Sequence, residues 1–304
     1  MDLNSGRLQF DREFALVDSF GRALRLQKFP KMGLIQPRVN PDNRTLILSA
    51  PAMPDFVLSL DSDQKQGHSA PTQTRSMVSV CGDKCGGKLW GDLESSEWFS
   101  SYLGVQCWLA RYDGGFYMRS SDIERDSSVQ DIVKENNRYS FSNEKPLLLI
   151  SKHSVDQLNS NLRHLNQPLV SAKHFRPNLV VECVGKDNET NAVHHLEDSW
   201  KTVSIRLDDK NSGSSSDNSD TDIQLAACGL CARCAMVDFD PNSGTKGKTL
   251  RALAEYRRGN NGEIYFGIFL KAKSLLHIQD EVVQNEHQTP REVLLEEGCS
   301  LLCA

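Results

Sequence analysis

The chain has 304 residues and a formal charge of −5, from 35 basic and 40 acidic side chains; 38% of it is hydrophobic and 25% charged. That is enough apolar material for a packed core, so global disorder is excluded, and at about 150 residues per domain the length predicts two domains. The mild acidity argues against a nucleic-acid binder, no run approaches the roughly 18 apolar residues of a membrane span, and Met1-Asp2-Leu3-Asn4 does not open a secretory signal.

In chain order, the first sixty residues read as short strands joined by turns. Phe14–Asp18 ends at a Ser19-Phe20-Gly21 turn and Ala23–Gln27 follows; Thr45–Leu48 and Phe56–Leu60 are further apolar runs bounded by Pro, Asn and Asp. Residues 61–75 are polar and predict a surface excursion. Leu93, Trp98, Phe99, Tyr102 and Leu103 fit a short amphipathic helix ending at Gly104, after which Cys107–Ala110 resumes as a strand. Residues 119–145 form a polar connection that holds the domain boundary.

The second half opens with the buried-strand signal Pro146–Ile150. Ser154 then caps a predicted helix through Leu158 and Leu162. Leu179–Val181 and Val203–Leu207 are strands, and Ile264–Leu270 and Val282-Val283 close the sheet. Residues 208–222 hold five Asp, five Ser and one Gly without an apolar side chain, which predicts a solvated or disordered insertion. The expected fold class is mainly β (α+β): two tandem β-barrel-like units with a few short helices. The domains are placed at 1–118 and 119–286, with a tail at 287–304.

Nine cysteines, an odd number in a chain too long to need disulfide stapling, predict reduced thiols and a cytoplasmic location. The densest group is Cys228, Cys231 and Cys234. A tight turn could converge three such thiols on one cation, with Cys81 and Cys85 as a second pair for zinc, but a fourth ligand nearby is missing. The C-x2-C-x2-C-x3-C-P iron–sulfur pattern fails at Asp238-Phe239. Burial as small apolar side chains is the remaining alternative. Arg233 beside Cys234 favours a thiolate, and one thiolate with adjacent cationic and amide donors suits a metal whose other ligands come from a cofactor. Asp240-Pro241-Asn242-Ser243-Gly244 then predicts a turn.

Pro177 disfavours helix at Arg176, so Lys173–Asn178 reads as an extended approach to the Leu179 strand, with Arg176 and Asn178 on one face, able to grip a phosphate or polar heterocycle. An ordinary surface arginine is the competing reading. His194 and His195 are read as surface residues. Neither a G-x-S-x-G elbow nor a phosphate- or dinucleotide-binding glycine motif is present.

Taken in order, Gln9–Asp18 and Gln27–Ile35 resemble the β-barrel module that precedes the MOSC domain. Lys173–Val181, with its F-R-P-N, and Cys231-Ala-Arg-Cys234 followed by Asp240–Gly244 resemble the MOSC domain itself. That domain occurs at the C-terminus of eukaryotic molybdenum cofactor sulfurases and in amidoxime-reducing enzymes. The resemblance covers residues 6 to 284 or so and implies a binder of the molybdenum cofactor (Mo-molybdopterin). It makes Cys234 the thiolate on molybdenum and Cys231 a sulfur relay. Ala232 and Arg233 become contacts to the pterin or its phosphate, Arg176 and Asn178 cofactor holders, and Arg12 a further contact. Asn143, Glu144 and Lys145 occupy the family's cofactor-facing segment.

The implied activity is of the sulfurase type: a transferase module that holds the cofactor while sulfur replaces an oxo ligand. The alternatives are a reductase of N-hydroxylated compounds and a catalytically incomplete remnant. Expected partners are a cysteine-desulfurase-like domain or chain, which would carry the pyridoxal phosphate, and a recipient molybdoenzyme; neither nucleic acid nor a membrane is expected. Family members carry a Lys-Ser-Cys segment upstream of Asp11-Arg12-Glu13-Phe14, and the chain starts too late to contain it.

Overall fold

The structure is a computed structural model and describes residues 8–61, 75–80, 83–118, 141, 145–182, 194–205, 223–272 and 301–303. The excursion at 62–74, the connection at 119–140, the insertion at 208–222, Val282-Val283 and most of the tail lie outside the described residues. The protein is mostly β with few helices, in strongly curled half-barrel sheets. The chain divides into two compact units. The N-terminal unit is Phe10–Glu144 with Phe239–Lys246; the C-terminal unit is Met1–Gln9, Lys145–Asp238 and Gly247–Ala304.

In the N-terminal unit the strands are β1 (Phe14–Val17), β2 (Gln36–Asn40), β3 (Thr45–Ser49), β4 (Phe56–Ser59), β5 (Arg75–Val80), β6 (Asp83–Leu89) and β7 (Trp108–Met118). They form a four-stranded sheet in the order β1-β7-β6-β5 and a three-stranded sheet β2-β3-β4. β3 shows why the alternation works: Leu46 and Leu48 point into the core, against Leu58, Leu60, Trp98 and Phe99. Helix α1 (Leu93–Leu103) ends where predicted. Asp92 accepts the Ser95 N–H at its start, and Gly104 takes the left-handed conformation (φ 70°) that closes it onto the Ser100 carbonyl.

Ala23–Gln27 is not the predicted strand. Asp18 accepts bonds from the amides of Phe20 and Arg22 and from the Arg22 guanidinium, which tightens the turn. Ala23 then bridges back to Val17 and the Leu24 N–H donates to the Leu16 carbonyl, but Lys28 and Phe29 already fold onto the Arg25 carbonyl.

The C-terminal unit holds β8 (Leu147–Ser151), α2 (Lys152–His164), β9 (Leu179–Val181), β10 (Thr202–Ile205), β11 (Ile223–Ala232), α3 (Thr249–Ala254), β12 (Tyr265–Ala272) and β13 (Leu301–Cys303). Its six-stranded sheet runs β13-β10-β11-β12-β8-β9, antiparallel except for β8 and β9, which α2 connects in parallel. All five β8 residues are buried because both faces are covered. Leu147 and Leu149 join one apolar cluster with Val203, Leu225 and Ile268, while Leu148 and Ile150 join another with Leu158, Leu162, Phe175 and Phe266.

Phe266 and Ile268, two residues apart on β12, face different clusters because Gly267 between them adopts φ 78°. A Cβ there would sit 2.6 Å from the Leu149 carbonyl oxygen, so the position requires glycine. Ser154 is not the helix cap. α2 begins directly on the end of β8, and extended Ser151 (φ −98°, ψ 144°) is the capping residue. Among the described residues no helix is long and apolar enough to cross a membrane.

Candidate functional site

The thiol trio does not form a turn. Cys228 and Cys231 lie within β11, each at a break in its register with β12, and only Cys234 lies beyond the strand. Three strand residues advance roughly 10 Å, so thiols at that spacing do not share a centre. Among the described residues no three His, Cys, Asp or Glu side chains converge as metal ligands. That overturns the zinc and iron–sulfur readings for these residues. Cys85, in the N-terminal unit, is a buried thiol 3.2 Å from the Val78 carbonyl oxygen, and Cys81 lies outside the described residues.

The trio is graded by burial. Cys231 is packed in the core beside Leu148, Phe175 and Phe266, with its sulfur 3.7 Å from the Ala232 carbonyl. Cys228 is half-buried, and burial pushes its thiol up, partly countered by Lys271 and Lys145. Cys234 is exposed. It is followed by a 3-10 turn, Ala235–Asp238. Asp238 accepts the Leu250 N–H at 2.7 Å and so ties this turn to the start of α3.

Arg176 departs from the extended path predicted for it. Ala172–Phe175 form a 3-10 turn capped by Ser171 and His174, and Arg176 closes it in the left-handed region (φ 53°, ψ 47°), its N–H donating to the Lys173 carbonyl. Closure of that turn overrides the extended preference that Pro177 imposes. Arg176 and Asn178 therefore share no strand face, since β9 begins at Leu179. Arg176 is exposed. Asn178 starts the pairing with β8: its N–H donates to the Leu148 carbonyl and its Oδ1 accepts the Leu148 N–H, at 2.8 and 2.9 Å.

Arg233 brings these pieces together. Its Nε and Nη2 both donate to the Phe266 carbonyl, at 2.9 and 2.7 Å, and its Nη1 donates to the Phe175 carbonyl at 3.2 Å. The Phe175 and Phe266 rings stack with centroids 4.2 Å apart. Cys234 and Arg176, the residues next in chain to Arg233 and Phe175, are thus tied to one another through the Arg233 side chain. Ala232 ends β11 opposite Tyr265. Arg12 belongs to the N-terminal unit, where it has φ 52° and its Nη1 lies 3.1 Å from Asp11 Oδ2. Asn143 and Glu144 lie outside the described residues.

Sequence reasoning misread His195. Its neighbour His194 is exposed, but both ring nitrogens of His195 are buried. The ring lies edge-on to Phe266 at 5.6 Å and beside Tyr256 at 5.7 Å. Burial, reinforced by the positive charges of Arg257 and His194, lowers its pKa to about 4. Burial pushes Tyr256 up to about 12. Glu197, fully buried, accepts the Ser154 hydroxyl at 2.7 Å. The available signal was a charged pair, Glu197-Asp198, set between Leu196 and Trp200 at a strand approach.

The MOSC N-terminal beta barrel domain family matches residues 3–106, and the MOSC domain family matches residues 136–286. The chain is 30% identical to a molybdenum cofactor sulfurase of Aspergillus clavatus, over 93% of this chain and 36% of that protein. It is 29% identical to one of Oryza sativa subsp. japonica, over 92% and 31%, and 29% identical to one of Botryotinia fuckeliana, over 93% and 36%. The chain spans about a third of the length of these curated relatives. A MOSC N-terminal beta barrel domain followed by a MOSC domain, distantly similar to the C-terminal part of molybdenum cofactor sulfurase, makes this chain a member of the MOSC domain proteins.

Proposed function

We propose that the chain is a molybdenum-cofactor-binding MOSC module of the sulfurase type, with Cys234 as the protein ligand to the metal. The observation that carries this is the pairing of an exposed thiol with an exposed arginine on two chain ends tied together through Arg233. The donor set fits such a cofactor. Among the described residues no group of three His, Cys, Asp or Glu side chains could enclose a metal, so in this reading a metal held by Cys234 takes ligands from its carrier. A thiolate is also the soft ligand that sulfur-rich coordination favours.

When bound, the cofactor supplies the metal at which sulfur is exchanged. The chain's own residues bind and orient it. The Arg176 guanidinium, permanently charged, supplies a fork of donors for an anionic group. Asn178 holds the approach to β9 in place through its paired bonds to Leu148. Cys231, buried in the core cluster that also holds Leu148, Phe175 and Phe266, acts as a sulfur relay in this reading only by moving out of the core. Its exposure to solvent must therefore change during turnover. Arg12 enters through sequence resemblance alone. The pyridoxal phosphate domain and the recipient enzyme are partners outside this chain, and the reducing cytosol is the expected compartment.

The test is production of the full chain in a host that makes the cofactor, followed by elemental analysis for molybdenum, zinc and iron. Molybdenum is expected to co-purify with the wild type and with Cys231→Ala and to be lost from Cys234→Ala. Equal molybdenum in Cys234→Ala and wild type sinks the assignment. Turnover of an amidoxime by the loaded protein with an electron donor would favour the reductase branch instead.

A further inference from the structure

We propose that Arg233 is a positioning residue: its guanidinium fixes the Phe175–Arg176 peptide and the Cys234 end of β11 into one preformed unit, rather than contacting an anionic ligand directly. This inference rests on the assignment of Arg176 and Cys234 to the cofactor, but its geometry stands without any cofactor.

The peptide linking Phe175 to Arg176 is held at both poles. Its oxygen accepts Arg233 Nη1 at 3.2 Å, and its N–H donates to the Lys173 carbonyl at 3.1 Å. The orientation of that plane sets the left-handed backbone of Arg176, a conformation that L-residues with a Cβ adopt only when the surroundings hold them there. On the other side, Nε and Nη2 fork onto the single carbonyl of Phe266, and the main-chain N–H of Arg233 donates to Ile264 at 2.7 Å. The guanidinium carbon also lies 5.4 Å from the centroid of the Phe175 ring. Phe175 is 2% exposed and Phe266 is fully buried, so the carbonyls it grips belong to core residues.

This geometry separates a brace from a phosphate contact. Lysine supplies a point charge and can replace arginine opposite a phosphate, but it cannot reproduce a planar fork that spans two carbonyls. Hydrogen exchange is to be measured on the full chain without cofactor, for Arg233→Lys and Arg233→Gln. Both variants are expected to speed exchange at least about tenfold across residues 172–181, with residues 93–103 unchanged. In the wild type, the Arg233 Nε–H should appear as a slowly exchanging NMR signal that disappears in Arg233→Lys. After loading, both variants should retain little molybdenum, with lysine giving no rescue. Wild-type exchange in Arg233→Lys, rescue of molybdenum retention by lysine, or the absence of a protected guanidinium signal overturns the proposal. If neither variant folds, the wild-type signal alone decides. A wild-type protein that binds no molybdenum would remove the cofactor assignment and leave the exchange and NMR results intact.

Discussion

Two polar regions of the C-terminal unit meet at Phe266 and treat their polar atoms in opposite ways. At Arg233, the guanidinium donates to the carbonyls of Phe175 and Phe266 within hydrogen-bonding distance. In the neighbouring region, His153, Gln157, His195, Glu197, Asp198 and Tyr256 supply all seven buried side-chain polar atoms that make no hydrogen bond among the described residues. His153 and Gln157 lie four residues apart on α2; Glu197 Oε1 accepts the α2 Ser154 hydroxyl, the His195 N–H donates to the Ser154 hydroxyl oxygen, and Tyr256 lies beside the His195 ring. A satisfied buried network holds one geometry. An unsatisfied one keeps polar atoms in a medium that penalises them and is where protonation changes stability. The first arrangement suits a place that must be ready before a ligand arrives. The second suits a place whose energy responds to conditions.

The largest expected effect breaks both regions at once. Phe266→Ala removes the ring that stacks on Phe175 and walls His195, and should cost about 3–5 kcal/mol in urea denaturation. A cost under about 1 kcal/mol would mean the two regions do not depend on their common residue. Glu197→Ala sharpens the contrast within the second region. Its Oε1 accepts the Ser154 hydroxyl and, at 3.3 Å, the Ser151 N–H, so removal strands two buried donors at the start of α2. The expected loss is about 1–3 kcal/mol. Glu197→Gln, which keeps a carbonyl oxygen, should recover most of it.

A third effect is a pH dependence. His195 has a folded pKa of about 4 against an ordinary value of 6.5, so the folded state favours the neutral ring. The stability this ring contributes is present in full above pH 6.5, falls as the unfolded chain takes up its proton between 6.5 and 4, and is gone below that. The charged groups that face it are Arg257 and His194, which disfavour its charging, and the Tyr256 ring lies beside it. The difference in unfolding free energy between wild type and His195→Phe should therefore shift across pH 6.5 to 4 and be level on either side. A difference that is flat throughout would show that folding does not lower the pKa of this ring.

Periodicity predicted those elements that bury one face or both in the ordinary way. The apolar runs of β8 and β3 and the helix ending at Gly104 follow from side-chain pattern and capping chemistry. Pattern alone failed where a local bond outweighed a propensity. The 3-10 closure at Arg176 overrode Pro177, α2 started at Ser151 rather than Ser154, and the Asp18 turn consumed the start of the Ala23 strand. His195 was misread for a related reason: a polar stretch looks solvated until packing from α2 and β12 covers it.

The sequence by itself determined β1, β3, β4, β7 to β10 and β12, the helices α1 and α2, and the two motifs that mark the MOSC domain, because these depend on residue type and spacing along the chain; it did not show β2, β5, β6, β11 or α3. Only the tertiary structure decided that the three nearby thiols part company by burial, that Arg233 turns its fork onto main-chain carbonyls, and that Arg176 sits in a left-handed turn. Each of these depends on partners far away in sequence: Phe266 lies 33 residues and Phe175 58 residues from Arg233. Spacing along the chain cannot show which distant carbonyl a guanidinium will meet.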